Sequence, residues 1–159
     1  MALKKMLALA LTTALSASVS ANSTDPWSED FTKDFKPEVA TYLARWYKNN
    51  YNDYTYIYRY FCFCAEAGKS FTVDVRDNKV KKVTYTDTNQ EVPESFMSMF
   101  STIDGLFVDL VKANKNAHKI NVQFNKRHGN PTNVYIDQDP RIADEETAYV
   151  IDRIFPILP

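Results

Sequence analysis

The sequence predicts an α+β domain: a two-layer structure in which an antiparallel sheet carries two helices packed on one face. Three patterns lead there. Strands with period-two alternation occur in runs joined by short turns, which is how antiparallel sheets are built. Two segments instead carry apolar residues at i, i+3, i+4 and i+7, the stripe of an amphipathic helix. The helices fall before and between the strand runs, in the order α-βββ-α-ββ(β), so they segregate to one layer.

The first 21 residues stand apart from that domain. Lys4 and Lys5 form a short positive region, Met6 to Leu15 an apolar one, and Val19, Ser20 and Ala21 supply small residues before a cut. This is the grammar of a cleaved secretory signal. The apolar run is about ten residues, short of the roughly twenty a bilayer-spanning helix needs. Residues 1–21 therefore read as a cleaved signal peptide, 22–36 as a flexible leader from which Trp27 or Phe31 can touch the body, and 37–159 as a single α+β domain. The setting is periplasmic or secreted, with no transmembrane segment after processing. Losing Lys4 and Lys5 leaves the chain net acidic, and no basic stripe marks a nucleic-acid partner. With 3 glycines in 159 residues, the chain is poor in phosphate-cradling loops.

The domain opens with "PEVATYLARWYKNNY". Pro37 suits a first helical position, where a missing N–H costs nothing. Val39, Tyr42, Leu43, Trp46 and Tyr47 share one helical face, and Asn49, Asn50 and Asn52 end the helix. "YTYIYRYFCFC" follows, from Tyr54 to Cys64. Tyr54, Tyr56, Tyr58, Tyr60, Cys62 and Cys64 form one face; Thr55, Ile57, Arg59, Phe61 and Phe63 form the other. After the turn "AEAGKS", Phe71, Val73 and Val75 mark a second strand. Asp77-Asn78 supplies hairpin chemistry, since both residues tolerate a left-handed backbone. "KVKKVTYT" completes a meander.

Residues 87–101 are a long connection. Thr102 caps a second helix with Ile103, Leu106, Phe107, Leu110 and Val111 on its stripe, fading at "KANKNAH". Ile120, Val122 and Phe124 alternate in the next strand. "KRHGNP" turns the chain into "TNVYID", whose Val134 and Ile136 point inward. After the acidic stretch "QDPRIADEE", the β-branched and aromatic content of "TAYVIDRIF" favours a last strand.

The two cysteines pose the sharpest chemical question. Residues i and i+2 of a regular strand lie roughly 6.6–6.8 Å apart, too far for a disulfide unless the strand bends. Three readings stand: a local Cys62–Cys64 disulfide, which export and an even count favour; two buried thiols packing as small apolar groups; or a soft-metal site for copper or zinc. In that third reading Met97 and Met99 join Cys62 and Cys64. No metal or other cofactor is predicted in the primary reading. The acidic loop 137–146 could offer oxygen ligands to a hard cation, but it lacks EF-hand spacing and reads as a solvated loop. No serine has a hydrolase elbow around it, and His118 and His128 stand alone, so the chain does not read as an enzyme.

The tyrosines of the first strand read as core beneath the helices. Ile57, Phe61 and Phe63 then lie on the opposite face, an excess of apolar surface that motivates protein contact. The function reads as a secreted or periplasmic non-enzymatic domain that meets another envelope protein through these residues. The alternative is a soft-metal or thiol-redox protein using the C-x-C pair.

Taken together, "YTYIYRYFCFC", a V-x-V strand with a short D-N turn, "TIDGLFVDL", "VQFNKRHGNPTNVYID" and "ADEE" resemble a family of uncharacterised secreted bacterial proteins catalogued as a domain of unknown function. Its members share an aromatic strand ending in C-x-C, a T-V-D-x-L-F-like helix start and a Y-D-x-x-x-G-x-P-x-x-I-x-I-D hairpin. Here Thr102, Ile103, Asp104, Leu106 and Phe107 stand in the helix start. Gly129, Pro131, Val134, Ile136 and Asp137 stand in the hairpin, with departures at Phe124, Asn125 and Asn130. The likeness spans about residues 40–152. It implies an envelope or secreted setting and supplies no activity, cofactor or catalytic residue.

Overall fold

A computed structural model describes residues 37–142 and 144–157. The signal peptide and leader expected over residues 1–36 lie outside the described residues. Helix α1 (Pro37–Asn49) leads into β1 (Tyr54–Phe61), β2 (Ser70–Arg76) and β3 (Lys79–Tyr85). A 3-10 turn (Glu94–Met99), helix α2 (Ile103–Asn116), β4 (Lys119–Phe124), β5 (Pro131–Asp137) and β6 (Thr147–Pro156) follow. The six strands form one antiparallel sheet in the order β3-β2-β1-β6-β5-β4. The α+β class and the meander of the first three strands follow the sequence reading.

Each element has a local cause. Helix α1 ends at Asn50, whose φ of 51° is the left-handed conformation that stops a helix. Asp77 and Asn78 both sit at φ 51°, the backbone a two-residue hairpin turn requires. Thr102 caps α2, its hydroxyl accepting from Gly105 N at 3.1 Å. All five stripe residues of α2 are buried. Tyr47 departs from the expected stripe of α1 and is 39 % exposed.

Two features lie beyond what local periodicity can show. Strand β6 lies in mid-sheet, paired with β1 from Tyr54↔Pro156 to Phe61↔Ala148, across a bulge between Ile57 and Tyr58. It joins the β1–β3 meander to the β4–β5 hairpin. The long connection is also ordered: Thr84 bridges Glu91, and the 3-10 turn sets Phe96, Met97 and Met99 against the core.

Register places Tyr54, Tyr56 and Tyr58 beside Val75, Val73 and Phe71 on one side and Pro156, Ile154 and Ile151 on the other. All three tyrosines are buried. Helix α1 meets this set through Trp46, edge-on to Tyr54 at 5.3 Å, and reaches β4 through Tyr42, stacked on Phe124 at 4.7 Å. Helix α2 also packs on β4, through Phe107, stacked on Phe124 at 6.1 Å. The hydroxyls of Tyr54 and Tyr56 are engaged at the start of α2. Tyr54 accepts the N–H of Ile103 at 2.8 Å and Tyr56 donates to Ser101 O. Both thus hold the start of α2, where helix termini leave unpaired backbone groups.

Candidate functional site

The aromatic strand stops three residues earlier than its alternation suggested, at Phe61. Cys62 and Cys64 are joined as a disulfide with Cα atoms 5.3 Å apart, closer than strand geometry permits, so the chain must leave the sheet to form it. The segment then winds up. Cys64 N donates to Cys62 O at 2.9 Å, Ala67 N to Cys64 O at 3.2 Å, and Gly68 N back to Tyr60 O at 2.7 Å. Gly68 has φ 75°, a conformation glycine adopts without a Cβ penalty. Glu66 is buried under this turn and held by Lys69, Nζ to Oε1 3.2 Å. That hydrogen bond raises the Lys69 pKa.

Winding the turn this way throws Phe63 out to 86 % exposure. Cys64 is exposed and Cys62 half-buried. Phe61 is 39 % exposed and Phe155, opposite Thr55, 49 %. Ile57 is half-buried. Between these apolar groups Arg59 grips Asp152 with two hydrogen bonds of 2.9 Å, and that contact raises the arginine pKa. The β6 bulge makes this possible: one extra residue lets Asp152 meet Arg59 while Ile151 stays buried. Thr55 donates to Asp74 at 2.9 Å, and Asp74 is paired with Arg76 at 2.6 Å. The face is a mosaic of aromatic groups around fixed ion pairs. Such compositions, with aromatic residues and arginine, mark protein interfaces.

The other singled-out residues are engaged elsewhere. Met97 and Met99 pack against the core from the 3-10 turn. His128 Nδ1 is 3.1 Å from the Tyr51 hydroxyl, and burial, then Arg127, lowers its pKa. In the acidic loop Asp139 accepts from Arg141 Nε at 2.8 Å, which lowers the carboxyl pKa. Among the described residues no three or more His, Cys, Asp or Glu side chains gather to hold a metal ion, and no helix is long and apolar enough to cross a membrane.

Sequence reasoning missed a groove of about 660 Å³ walled by α1, α2 and the β4–β6 end of the sheet. Its lining includes Val39, Leu110, Val122, Phe124 and Val134. Each falls on the apolar side of its element's periodic pattern; Leu110 and Val134 are buried, while Val39, Val122 and Phe124 are half-buried.

A model of a family of unknown function (DUF6174) matches residues 38–156. No curated protein and no solved structure matches the chain.

Proposed function

The chain belongs to the DUF6174 family, whose description carries no activity to transfer, and we propose its function from its surface instead: a secreted or periplasmic, non-enzymatic domain that binds another envelope protein through the Ile57, Phe61 and Phe63 side of the sheet. The observation that carries this reading is the 86 % exposure of Phe63 at the tip of a turn cross-linked by its two neighbours. A ring carried on a cross-linked turn needs less backbone ordering on docking than one on an open loop, so less of its burial is offset. Phe61, Phe155 and Ile57 extend the apolar area, and the Arg59–Asp152 pair supplies polarity that fixes orientation. The N-terminal signal pattern and the C-x-C disulfide support an exported, oxidising setting.

The test is site-specific photocrosslinking in the native cell. A photoreactive residue at Phe63 or Ile57 should give a discrete adduct, whereas one at exposed Lys81 should not. Equal or absent adducts at all three positions would defeat the reading. N-terminal sequencing of the recovered protein should find cleavage after Ala21.

A second reading, thiol–disulfide exchange, draws on the exposure of Cys64. An external dithiol would give two electrons to the Cys62–Cys64 bond, leaving two thiols here and a disulfide on the donor. The soft-metal version is less favoured, because the two sulfurs are bonded to each other.

A further inference from the structure

We propose that the edge of β4 pairs with β4 of a second copy, antiparallel about a twofold axis at Val122, so that two six-stranded sheets become one continuous sheet. The sheet ends at β3 on one side and at β4 on the other, and the two edges differ. Along β3 the returning chain adds backbone hydrogen bonds, Tyr85 N to Gln90 O at 2.9 Å and Val92 N to Val83 O at 3.1 Å. Lys82 is paired with Glu91 at 2.7 Å, and Lys79 and Lys81 stand exposed on the rest of that strand. A covering segment and edge lysines are devices that block strand addition. Among the described residues β4 has neither. From Ile120 to Asn125 it carries no charge and no proline.

The backbone of β4 is set to pair outward. His118 N donates to Gln138 O at 3.3 Å, and the ladder continues in register from Lys119↔Asp137 to Gln123↔Asn133. Bonded and non-bonded positions alternate along an antiparallel pair. Ile120 and Val122 therefore bond to β5, and the N–H and C=O groups of Lys119, Asn121 and Gln123 point away from it. The side chains identify the partner strand as another β4. With Val122 on the axis, Ile120 faces Phe124 of the copy, Asn121 faces its Gln123, and Lys119 faces its Asn125. Apolar groups meet on the helix side and amides, which both donate and accept, meet on the outer side. Between Lys119 and Asn125 no like charges stand opposite, an arrangement that would destabilise the pair. Each Asn121–Gln123 pair falls at a bonded position and exchanges both backbone hydrogen bonds. Ile120, Val122 and Phe124 are half-buried, whereas their β5 neighbours Val134 and Ile136 are buried. Pairing covers apolar surface that the chain's own helices leave open.

The experiment is sedimentation equilibrium of the exported chain from micromolar to millimolar concentration. The native protein should show a reversible monomer–dimer equilibrium. Asn121 and Gln123 are exposed, so changing both leaves the core untouched. Asn121→Lys with Gln123→Lys should abolish the dimer and leave the urea midpoint in place. Asn121→Lys with Gln123→Glu should restore the dimer, because Lys then faces Glu across the axis. Val122→Cys should give a covalent dimer on mild oxidation, since non-bonded positions bring Cα atoms to about 4.5 Å, within the roughly 4.4–6.8 Å a disulfide spans. Lys81→Cys, on the opposite edge, should not. A native chain that stays monomeric throughout would overturn the proposal. So would a dimer that survives both lysines, or one that Phe63→Ser abolishes while the lysines do not, which would place the contact on the outer face. Failure of the Lys–Glu variant to dimerise where the native chain does would overturn the register.

Discussion

At the scale of the residue, Gly129 shows how one position ties the two layers together. Its φ is 90°, and a Cβ there would lie 2.5 Å from Tyr42 O and 2.6 Å from Trp46 N. The β4–β5 turn therefore approaches the backbone of α1 as only glycine allows. Gly129→Ala should lower unfolding free energy by about 2–3 kcal/mol in a urea titration, combining backbone strain with a clash that rigid backbone cannot relieve. A change within 0.5 kcal/mol would show that α1 can lift away freely. Nearby, His128 should make stability depend on pH. Its pKa lies below the ordinary 6.5 because burial and Arg127 disfavour the charged ring. The unfolded chain thus takes up a proton first as pH falls through 6.5, and the native state loses stability until its own, lower pKa is passed. Stability should decline from pH 7 towards pH 5.5, and His128→Asn should flatten that part of the profile. A profile that keeps its slope in the variant would assign the dependence to other groups.

At the scale of the element, the C-x-C turn and β6 carry opposite weights. A cross-link between residues two apart closes a tiny loop, and loop-closure entropy gives it only about 1.5 kcal/mol. Replacing Cys62 and Cys64 together with Ser should cost no more than that in a denaturant titration, while loosening amide exchange locally from Cys62 to Gly68. A loss of several kcal/mol would mean that the turn supports more of the fold than its loop length allows. Among the described residues strand β6 alone links the β1–β3 meander to the β4–β5 hairpin in the sheet, and Ile151 at its centre is 2 % exposed. Ile151→Ala should cost about 2–5 kcal/mol by cavity formation. The residual transition should still be cooperative, because both halves pack on the same helices. The hydrophobic pattern showed β6 as a strand, but a pattern cannot show its neighbours, because pairing partners are chosen by contacts about ninety residues away.

At the scale of the whole molecule, the pairing of the earliest strand with the last makes the central ladder of the sheet non-local, and non-local topologies fold slowly. Refolding from denaturant should be slower than a helical domain of this length, on the millisecond-to-second scale, by stopped-flow fluorescence. Sub-millisecond refolding would indicate that β1 and β6 are held together in the unfolded chain. The sequence by itself determined which residues turn inward. Strand alternation and helical stripes name Tyr54, Tyr56, Tyr58, Leu43, Trp46, Phe107 and Val134 as core, because side-chain direction is fixed by local backbone geometry. It also determined the helix cap at Thr102 and the Asp77-Asn78 turn, whose causes lie within a few residues of each other. Tertiary structure alone decided the end of β1 at Phe61, the mid-sheet place of β6, the Arg59–Asp152 grip and the open groove at β4. Each of these depends on the distance between segments remote in the chain, or on a bond that bends it, and local periodicity carries no information about either.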